Sequence, residues 1–407
     1  MTAFGIFSLI FGVFFAALHT LLLFGFFLEW LKDRRSIAAA GSAAHNAAVC
    51  RVSLIIPIHN ESRRMEGLLR SLLAQDCWNQ EFRNQRFLVE IIFVDDCSND
   101  ESPAMLAAFV KDAARQGVEN CRVITLTENP GPNRKQYALS VGIAGAQGDY
   151  LLFTDGDCEM APGWIRTMAG RMADETTGAV IGPVFKKKQG EGFFCLYQCF
   201  DHLMRYYYLA GSTGLGAAGG SFGNNLIVSR AALDAVGGYG ALPPSPTEDA
   251  ALISAIRCLR RTEGSRYRIR AAIAGDAAVE TAAETSWRGL VNQTLRWNNG
   301  GLFSPEPVTR FNYNLLMLII SAGILAIPFL PFFPFLWPMP AAVFFSMIEN
   351  TIMSFALFRK KLPRGGPLNL GYVPALFFTP CYFTLMTIMG YCRIKVRWKG
   401  SEITHDS

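Results

Sequence analysis

Residues 52–61 read Val52-Ser53-Leu54-Ile55-Ile56-Pro57-Ile58-His59-Asn60-Glu61. A run of apolar, largely β-branched residues closed by a proline and followed by polar ones predicts a buried strand that ends in a loop. Working outward, residues 61–74 place Met65, Leu68, Leu69 and Leu72 at helical spacing. A second apolar run, 89–94, stops at Asp95-Asp96, a third covers 122–126, and a fourth, 150–154, stops at Asp155-Gly156-Asp157. Strands alternating with helical stretches predict an α/β fold with a doubly wound, mostly parallel sheet, whose ligands bind beyond the carboxyl ends of the strands. Two of these strands deliver acidic residues at that edge.

Outside this pattern the chain changes character. Of its 407 residues 51% are hydrophobic and 17% charged, against about 25% charged in an average soluble domain. The deficit is local, because no charged residue falls in 1–28 or 367–392, and 313–358 holds only Glu349. Residues 1–30 therefore read as a transmembrane anchor, since the apolar run is long enough to span a bilayer and its positive charges follow it. A cleaved signal peptide carries its positive charge before a shorter apolar stretch.

Residues 31–50, Ala-rich over 38–49, read as a linker, and 51–300 as one domain. Residues 301–395 read as a C-terminal membrane region of about three to four spans by apolar length, and 396–407 as a basic cytosolic tail. The apolar blocks there are 313–338, 341–358 and 370–392. Two ways of making the crossings even in number stand open: the first block holds two passes broken at Pro328, Pro331 and Pro334, or the block with Pro374 and Pro380 is re-entrant. The basic residues Lys32, Arg34, Arg35, Arg359, Lys360, Lys361, Arg364, Arg393, Lys395, Arg397 and Lys399 flank apolar segments. That position matches the cytosolic face of a membrane and not nucleic-acid binding. Ten cysteines without a Cys-x-x-Cys pair read as reduced core thiols. The expected localisation is an integral membrane protein of a plasma or inner membrane, or of the ER or Golgi in a eukaryote, with the domain in the cytosol.

Four short segments carry chemistry, each beside an ordinary structural explanation. Asp155-Gly156-Asp157 puts two carboxylates on a tight turn, suited to a hard divalent cation with phosphate oxygens, or simply an acidic turn. Asp95-Asp96 with Ser98 and Asp100 is a second acidic site or an Asx turn that caps the next helix. Thr247-Glu248-Asp249 caps a helix, and a carboxylate fixed at a helix start also suits a general base. Gln293-Thr294-Leu295-Arg296-Trp297 lies in an amphipathic stretch with Trp287 and Leu290, an interfacial helix or a phosphate-neutralising arginine beside an aromatic wall. Residues 193–208 read equally as a helix lying along the membrane and as a core helix.

Taken in order, these segments resemble the family 2 glycosyltransferases: residues 52–61, Val94-Asp95-Asp96-Cys97-Ser98-Asn99-Asp100, Lys135 with Ala138-Leu139, Phe153-Thr154-Asp155-Gly156-Asp157, Gly223-Asn224-Asn225, Val236-Gly237-Gly238-Tyr239, Thr247-Glu248-Asp249 and 293–297. The flanking apolar segments resemble the branch that includes ceramide glucosyltransferases and processive polysaccharide synthases. The resemblance implies a GT-A-type fold and a nucleotide diphosphate sugar as donor, uridine being the default base. It places the nucleoside on Pro57, Asn60, Glu61 and Asp95 or Asp96 with Lys135 nearby. It places Mg²⁺ or Mn²⁺ and the diphosphate on Asp157 with Asp155, and makes Asp249 the base. Gln293, Arg296 and Trp297 would close over the diphosphate and the acceptor.

Two departures shape what is expected. Thr294 stands where processive synthases carry Gln or Arg, which favours transfer of a single sugar to a lipid acceptor in the bilayer. Arg134-Lys135 replaces a glycine-lysine pair. A processive synthase extending and exporting a glycan is the alternative, and an inactive transferase-like scaffold a remote third, opposed by the presence of Asp157, Asp249 and Arg296. Nothing in the sequence names a protein partner.

Overall fold

The computed structural model describes residues 2–42, 50–79, 87–118, 120–187, 190, 192–243, 245, 247–262, 267–273, 276–358, 372–394, 396–398 and 401–403. The chain divides into an α/β unit, Leu28–Phe185 with Gly216–Ala282, and a helical unit, Met1–Phe27, Lys186–Leu215 and Ala283–Ser407.

The later part of α1 (Ala3–Ser42) opens the α/β unit, followed by β1 (Cys50–Ile58), α2 (Glu66–Leu73), β2 (Phe87–Asp96), α3 (Ser102–Arg115), β3 (Cys121–Leu126), α4 (Arg134–Gly145) and β4 (Tyr150–Phe153). Then come β5 (Cys158–Met160), α5 (Trp164–Gly170), β6 (Thr177–Ile181) and β7 (Val184–Lys186). The chain leaves for the helical unit as α6 (Phe193–Gly214) and returns with β8 (Leu226–Ser229), α7 (Arg230–Ala235), α8 (Glu248–Thr262), β9 (Arg268–Ala271) and β10 (Val279–Thr281).

Seven strands form one sheet in the order β3-β2-β1-β4-β8-β6-β9. Only β8 is antiparallel to its neighbours, so the sheet is mostly parallel, as the alternating pattern predicts. A second sheet pairs β5-β10-β7. The strands of the large sheet bury Leu54, Ile56, Ile58, Ile91, Phe93 and Leu152 against α2, α3 and α5. Full burial of each such side chain is worth about 1.5–3 kcal/mol.

β1 runs one residue past Pro57, pairing Ile58 with Asp95. The proline is tolerated because Ile55 accepts from Thr154 N on the β4 side. In a parallel ladder alternate residues face alternate neighbours, so Pro57 faces the side where β4 has already stopped and no ladder bond is lost.

The stretch read as linker from residue 31 is helical through Ser42, while 43–49 lie outside the described residues. The helix is held by charge. Asp33 pairs with Arg171 and accepts from Ile273 N (2.9 Å), and Glu29 pairs with Arg270 and accepts from Ala271 N (3.1 Å). Both carboxylates are buried, and both sit on the α/β unit through residues 138 and 241 positions away in sequence.

The helical unit contains the first part of α1, α6, α9 (Trp287–Leu302), α10 (Pro307–Ala326), α11 (Pro338–Phe358) and α12 (Val373–Tyr391). Among the described residues three helical segments, Ala3–Arg35, Pro307–Phe329 and Val373–Tyr391, are long and apolar enough to cross a membrane. In the first C-terminal block α10 stops at Ala326 and two 3-10 turns, Ile327–Phe329 and Pro334–Leu336, follow. Pro374 falls in the first turn of α12 and Pro380 inside it, and that helix is continuous.

α1 and α6 touch at glycines, where a Cβ on Gly25 would come within 2.3 Å of the Gly211 carbonyl oxygen. α6 is a core helix of this unit, with Tyr197, Phe200, Leu203, Tyr206 and Tyr207 buried. All ten cysteines are free. The basic stretch 359–364 and Lys395 and Lys399 lie outside the described residues, as does the tail beyond 403.

Candidate active site

β1, β2 and β4 end side by side, and their trailing loops interlock. Asn60 N donates to Ser98 Oγ (3.1 Å) and Asn99 N to Asn60 Oδ1 (2.9 Å). Glu61 N donates to Ser102 Oγ (2.9 Å), and His59 Nδ1 lies 2.7 Å from the Asp96 carbonyl oxygen. Asn60 and Cys97 adopt φ of 55° and 54°; asparagine tolerates that left-handed conformation, whereas cysteine holds it at a cost. Gly156 fits the third loop against the first, since a Cβ there would meet Ile58 Cδ1 at 2.8 Å and Glu61 Cγ at 2.9 Å. The residues expected at the nucleoside, Pro57, Asn60, Glu61, Asp95 and Asp96, thus share one edge.

Asp95 and Asp96 divide their work. Asp95 Oδ1 accepts from Ser98 N (3.2 Å), an Asx turn that shapes the loop. Asp96 receives Arg134 on both oxygens, at 3.2 and 3.1 Å, and Asn129 Nδ2 at 2.6 Å. Lys135, expected near the nucleoside, bonds Asp155 Oδ1 at 2.7 Å and Glu248 Oε1 at 3.4 Å. Successive residues at the start of α4 point about 100° apart, so one cation reaches the β2 carboxylate and the next the β4 carboxylate. Burial works against the Lys135 charge, but Asp155 and Glu248 outweigh it and, with Asp249 adding, hold the ammonium protonated well above its ordinary range.

Asp249 follows Glu248 in the first turn of α8. Ser221 Oγ donates to its Oδ2 at 3.3 Å. Gly223 is packed on it, a Cβ there lying 3.2 Å from Asp249 Cβ. Tyr239 is buried beside the same group: burial, then Glu248, Asp249 and Asp155, push its phenol well up. Asp155, Glu248 and Asp249 therefore surround one lysine and one tyrosine.

Asp157 accepts from Thr281 Oγ1 at 3.1 Å. Its neighbour Cys158 is a thiol pushed well up by burial and by Asp157. Asn225 is a structural clamp, accepting from Trp164 Nε1 (3.0 Å) and donating to the carbonyls of Pro183 and Ala277 (2.8 Å each). Two hard carboxylates on one turn suit a divalent ion that completes its shell with phosphate oxygens and water. Among the described residues no group of three His, Cys, Asp or Glu side chains is gathered to hold a metal ion.

Gln293, Arg296 and Trp297 belong to the helical unit, on α9. Ser286 caps this helix by accepting from Gly289 N (3.1 Å). Gln293 Nε2 donates to Glu284 Oε1 at 3.1 Å, and Gln198 of α6 exchanges two bonds with the Glu284 backbone. Trp297 packs edge-on to His202 with centroids 5.5 Å apart, under the Arg205 guanidinium at 5.0 Å, and Arg205 pairs with Asp201 at 2.7 Å. Thr294 accepts from Tyr382 OH at 3.1 Å.

Sequence reasoning did not assign Arg134, Glu248, Tyr239, Thr281 or the Asp201–Arg205 pair. For Glu248 the signal was its place beside Asp249. For Arg134 it was the very departure Arg134-Lys135, for Asp201 and Arg205 it was their i,i+4 spacing on α6, and Tyr239 and Thr281 are set by long-range packing.

The family described as Glycosyl transferase family 2 matches residues 53–237. An undecaprenyl-phosphate 4-deoxy-4-formamido-L-arabinose transferase of an Enterobacter species is 31% identical over 36% of this chain and 40% of that protein. A beta-monoglucosyldiacylglycerol synthase of Trichormus variabilis is 24% identical over 69% of this chain and 57% of its own length. The chain spans 57% or less of the curated relatives it matches. A mannosyltransferase of Pyrobaculum calidifontis, solved with GDP-mannose and Mn²⁺, superposes with a TM-score of 0.50 at 17% identity, covering 93% of this chain and 99% of that one. The fold is the GT-A-like α/β arrangement that the resemblance implies.

Proposed function

We propose that this chain, whose residues 53–237 match the family 2 glycosyltransferases, is an inverting glycosyltransferase that moves one sugar from a nucleotide diphosphate sugar, a UDP-sugar, to the hydroxyl or phosphate of a membrane lipid. One observation carries the reading. At the carboxyl edge of the parallel sheet Lys135 ties Asp155 of the β4 loop to Glu248, the residue before Asp249. That pairing supports a site in which Asp155 meets the diphosphate and Asp249 accepts the proton. Relatives named for undecaprenyl-phosphate and diacylglycerol products support a lipid acceptor.

In this reading Asp249, fixed at a helix start with Ser221 on one oxygen, takes the proton from the acceptor hydroxyl as that oxygen attacks the anomeric carbon. The bond from that carbon to the nucleotide diphosphate breaks. The interlocked loops of Pro57, Asn60, Glu61, Asp95 and Asp96 bind the nucleoside, with Asp96 held in place by Arg134. Lys135 keeps a positive charge beside the diphosphate. Mg²⁺ or Mn²⁺, held by Asp157 with Asp155, would neutralise charge on the departing diphosphate. Closure of Gln293, Arg296 and Trp297 over diphosphate and acceptor stays part of the proposal, as does an integral membrane location with the α/β unit cytosolic. The ceramide glucosyltransferase-like branch belongs to it on the flanking apolar helices.

The test is incubation of the reconstituted chain with labelled UDP- and GDP-sugars, a divalent cation and a total lipid extract. Organic-soluble, single-sugar product from a UDP-sugar supports the reading. Long water-soluble chains would establish a processive synthase instead, and product from GDP-sugars alone would overturn the donor.

A further inference from the structure

The helical unit holds a polar cluster for which the proposed transfer has no use. Glu349 is the only charged residue in 313–358. On α11 its Oε1 accepts from Thr20 Oγ1 of α1 at 3.3 Å. Among the described residues its Oε2 is buried without a hydrogen-bond partner, as is Tyr207 OH of α6. Tyr207 is close enough to feel the Glu349 charge, and Asn350 lies against His19 of α1. His19, Asn350 and Tyr207 are 4%, 5% and 1% exposed, so buried polar groups of three helices flank the exposed Thr20–Glu349 bond.

Such atoms are costly to leave unmatched when no water replaces the missing partner. A carboxyl, an amide oxygen, a phenol and an imidazole together offer both donors and acceptors. A hydroxyl satisfies both kinds, whereas a phosphate would face Glu349 with no cation beside it, and a free ion at that depth is expensive. The cluster also has a way in. Thr20 is exposed and Glu349 half-buried, and next to them Leu21 and Phe24 of α1 and Ile348 and Ile352 of α11 are exposed apolar side chains suited to an acyl or alkyl chain.

We propose that His19, Thr20, Tyr207, Glu349 and Asn350 form a binding site for the hydroxyl of a neutral lipid, entered from the bilayer between α1 and α11. The proposal rests on the membrane reading of these helices and not on the identity of donor or base. The hydroxyl belongs either to a simple long-chain alcohol or to a diacylglycerol.

The test is photolabelling of the full chain in phosphatidylcholine nanodiscs with a diazirine-bearing long-chain primary alcohol or the matched diazirine alkane, followed by peptide mapping. About tenfold more label from the alcohol on α1 and α11 peptides is expected, the discrimination of one or two hydrogen bonds. Unlabelled long-chain alcohol or diacylglycerol, whichever is the ligand, should compete. Glu349→Leu should reduce alcohol labelling toward the alkane level without lowering the unfolding temperature, because it removes an unmatched carboxylate oxygen, and Tyr207→Phe should do the same. Equal labelling by alcohol and alkane in the unaltered chain would overturn the site while leaving the membrane reading intact. Variants that unfold, or that keep the alcohol's advantage, would overturn it too. Absence of alkane label on both helices would remove the membrane reading and the site with it.

Discussion

In the α/β unit Glu29, Asp33, Asp96 and Asp155 each face an arginine or lysine, whereas Glu349 of the helical unit faces Thr20 and Tyr207, with no ion pair among the described residues. The contrast is not one of unit against unit throughout, since Asp201 and Arg205 of the helical unit are also paired at 2.7 Å. It separates two uses of buried polar groups. A matched pair fixes geometry: Asp33 and Glu29 seat a helix, and Lys135 sets the spacing of two carboxylates. An unmatched group is compensated only when something else arrives.

Breaking a matched pair should have the largest effect. Arg171→Leu leaves Asp33 buried without its partner and is expected to cost about 3–5 kcal/mol in chemical unfolding. The double change with Asp33→Leu should recover a large part of that loss; if it does not, charge matching is not what seats the helix. In the helical unit close backbone approach takes the place of charge. Gly25→Leu, forced against the Gly211 carbonyl, should cost about 1–3 kcal/mol by thermal unfolding. Gly192→Ala, with nothing within 4 Å, should stay within about 0.5 kcal/mol.

The smallest expected effect is acid sensitivity. Burial would raise the Glu90 carboxyl, but bonds from Ser53, Gln147 and Arg122 lower it. A carboxyl lowered in the folded state contributes stability that is present above its unfolded value, about 4.3, and is lost as pH falls through the folded one. The unfolding temperature should therefore drop as pH falls below about 4, and Glu90→Gln should flatten that drop.

Much of this was visible in the sequence. The apolar runs 52–56, 89–94 and 150–153 announced strands because parallel strands are buried on both faces, and their acidic ends announced the edge where ligands bind. Pro57 looked like a strand end because a proline normally removes a ladder bond; that the neighbouring strand had already stopped is a fact of register. The Ala-rich stretch from residue 38 looked like a linker because alanine and glycine runs lack an apolar face, and what seats the helix just before it is charge 138 and 241 residues away. Lys135 stands out in the sequence, while its pairing with Asp155 and Glu248 is a matter of helix placement. Glu349 stood out as a lone charge in an apolar block, while Thr20 and Tyr207 could be joined to it only by helix packing.

The claim that Asp249 is the base of a sugar transfer is tested most directly by comparing Asp249→Asn with the unaltered chain in the reconstituted lipid assay, alongside their thermal unfolding. Turnover should fall by a factor of about 10² to 10⁴ while the unfolding temperature and donor binding hold. Turnover within a few-fold of the unaltered chain would contradict the claim.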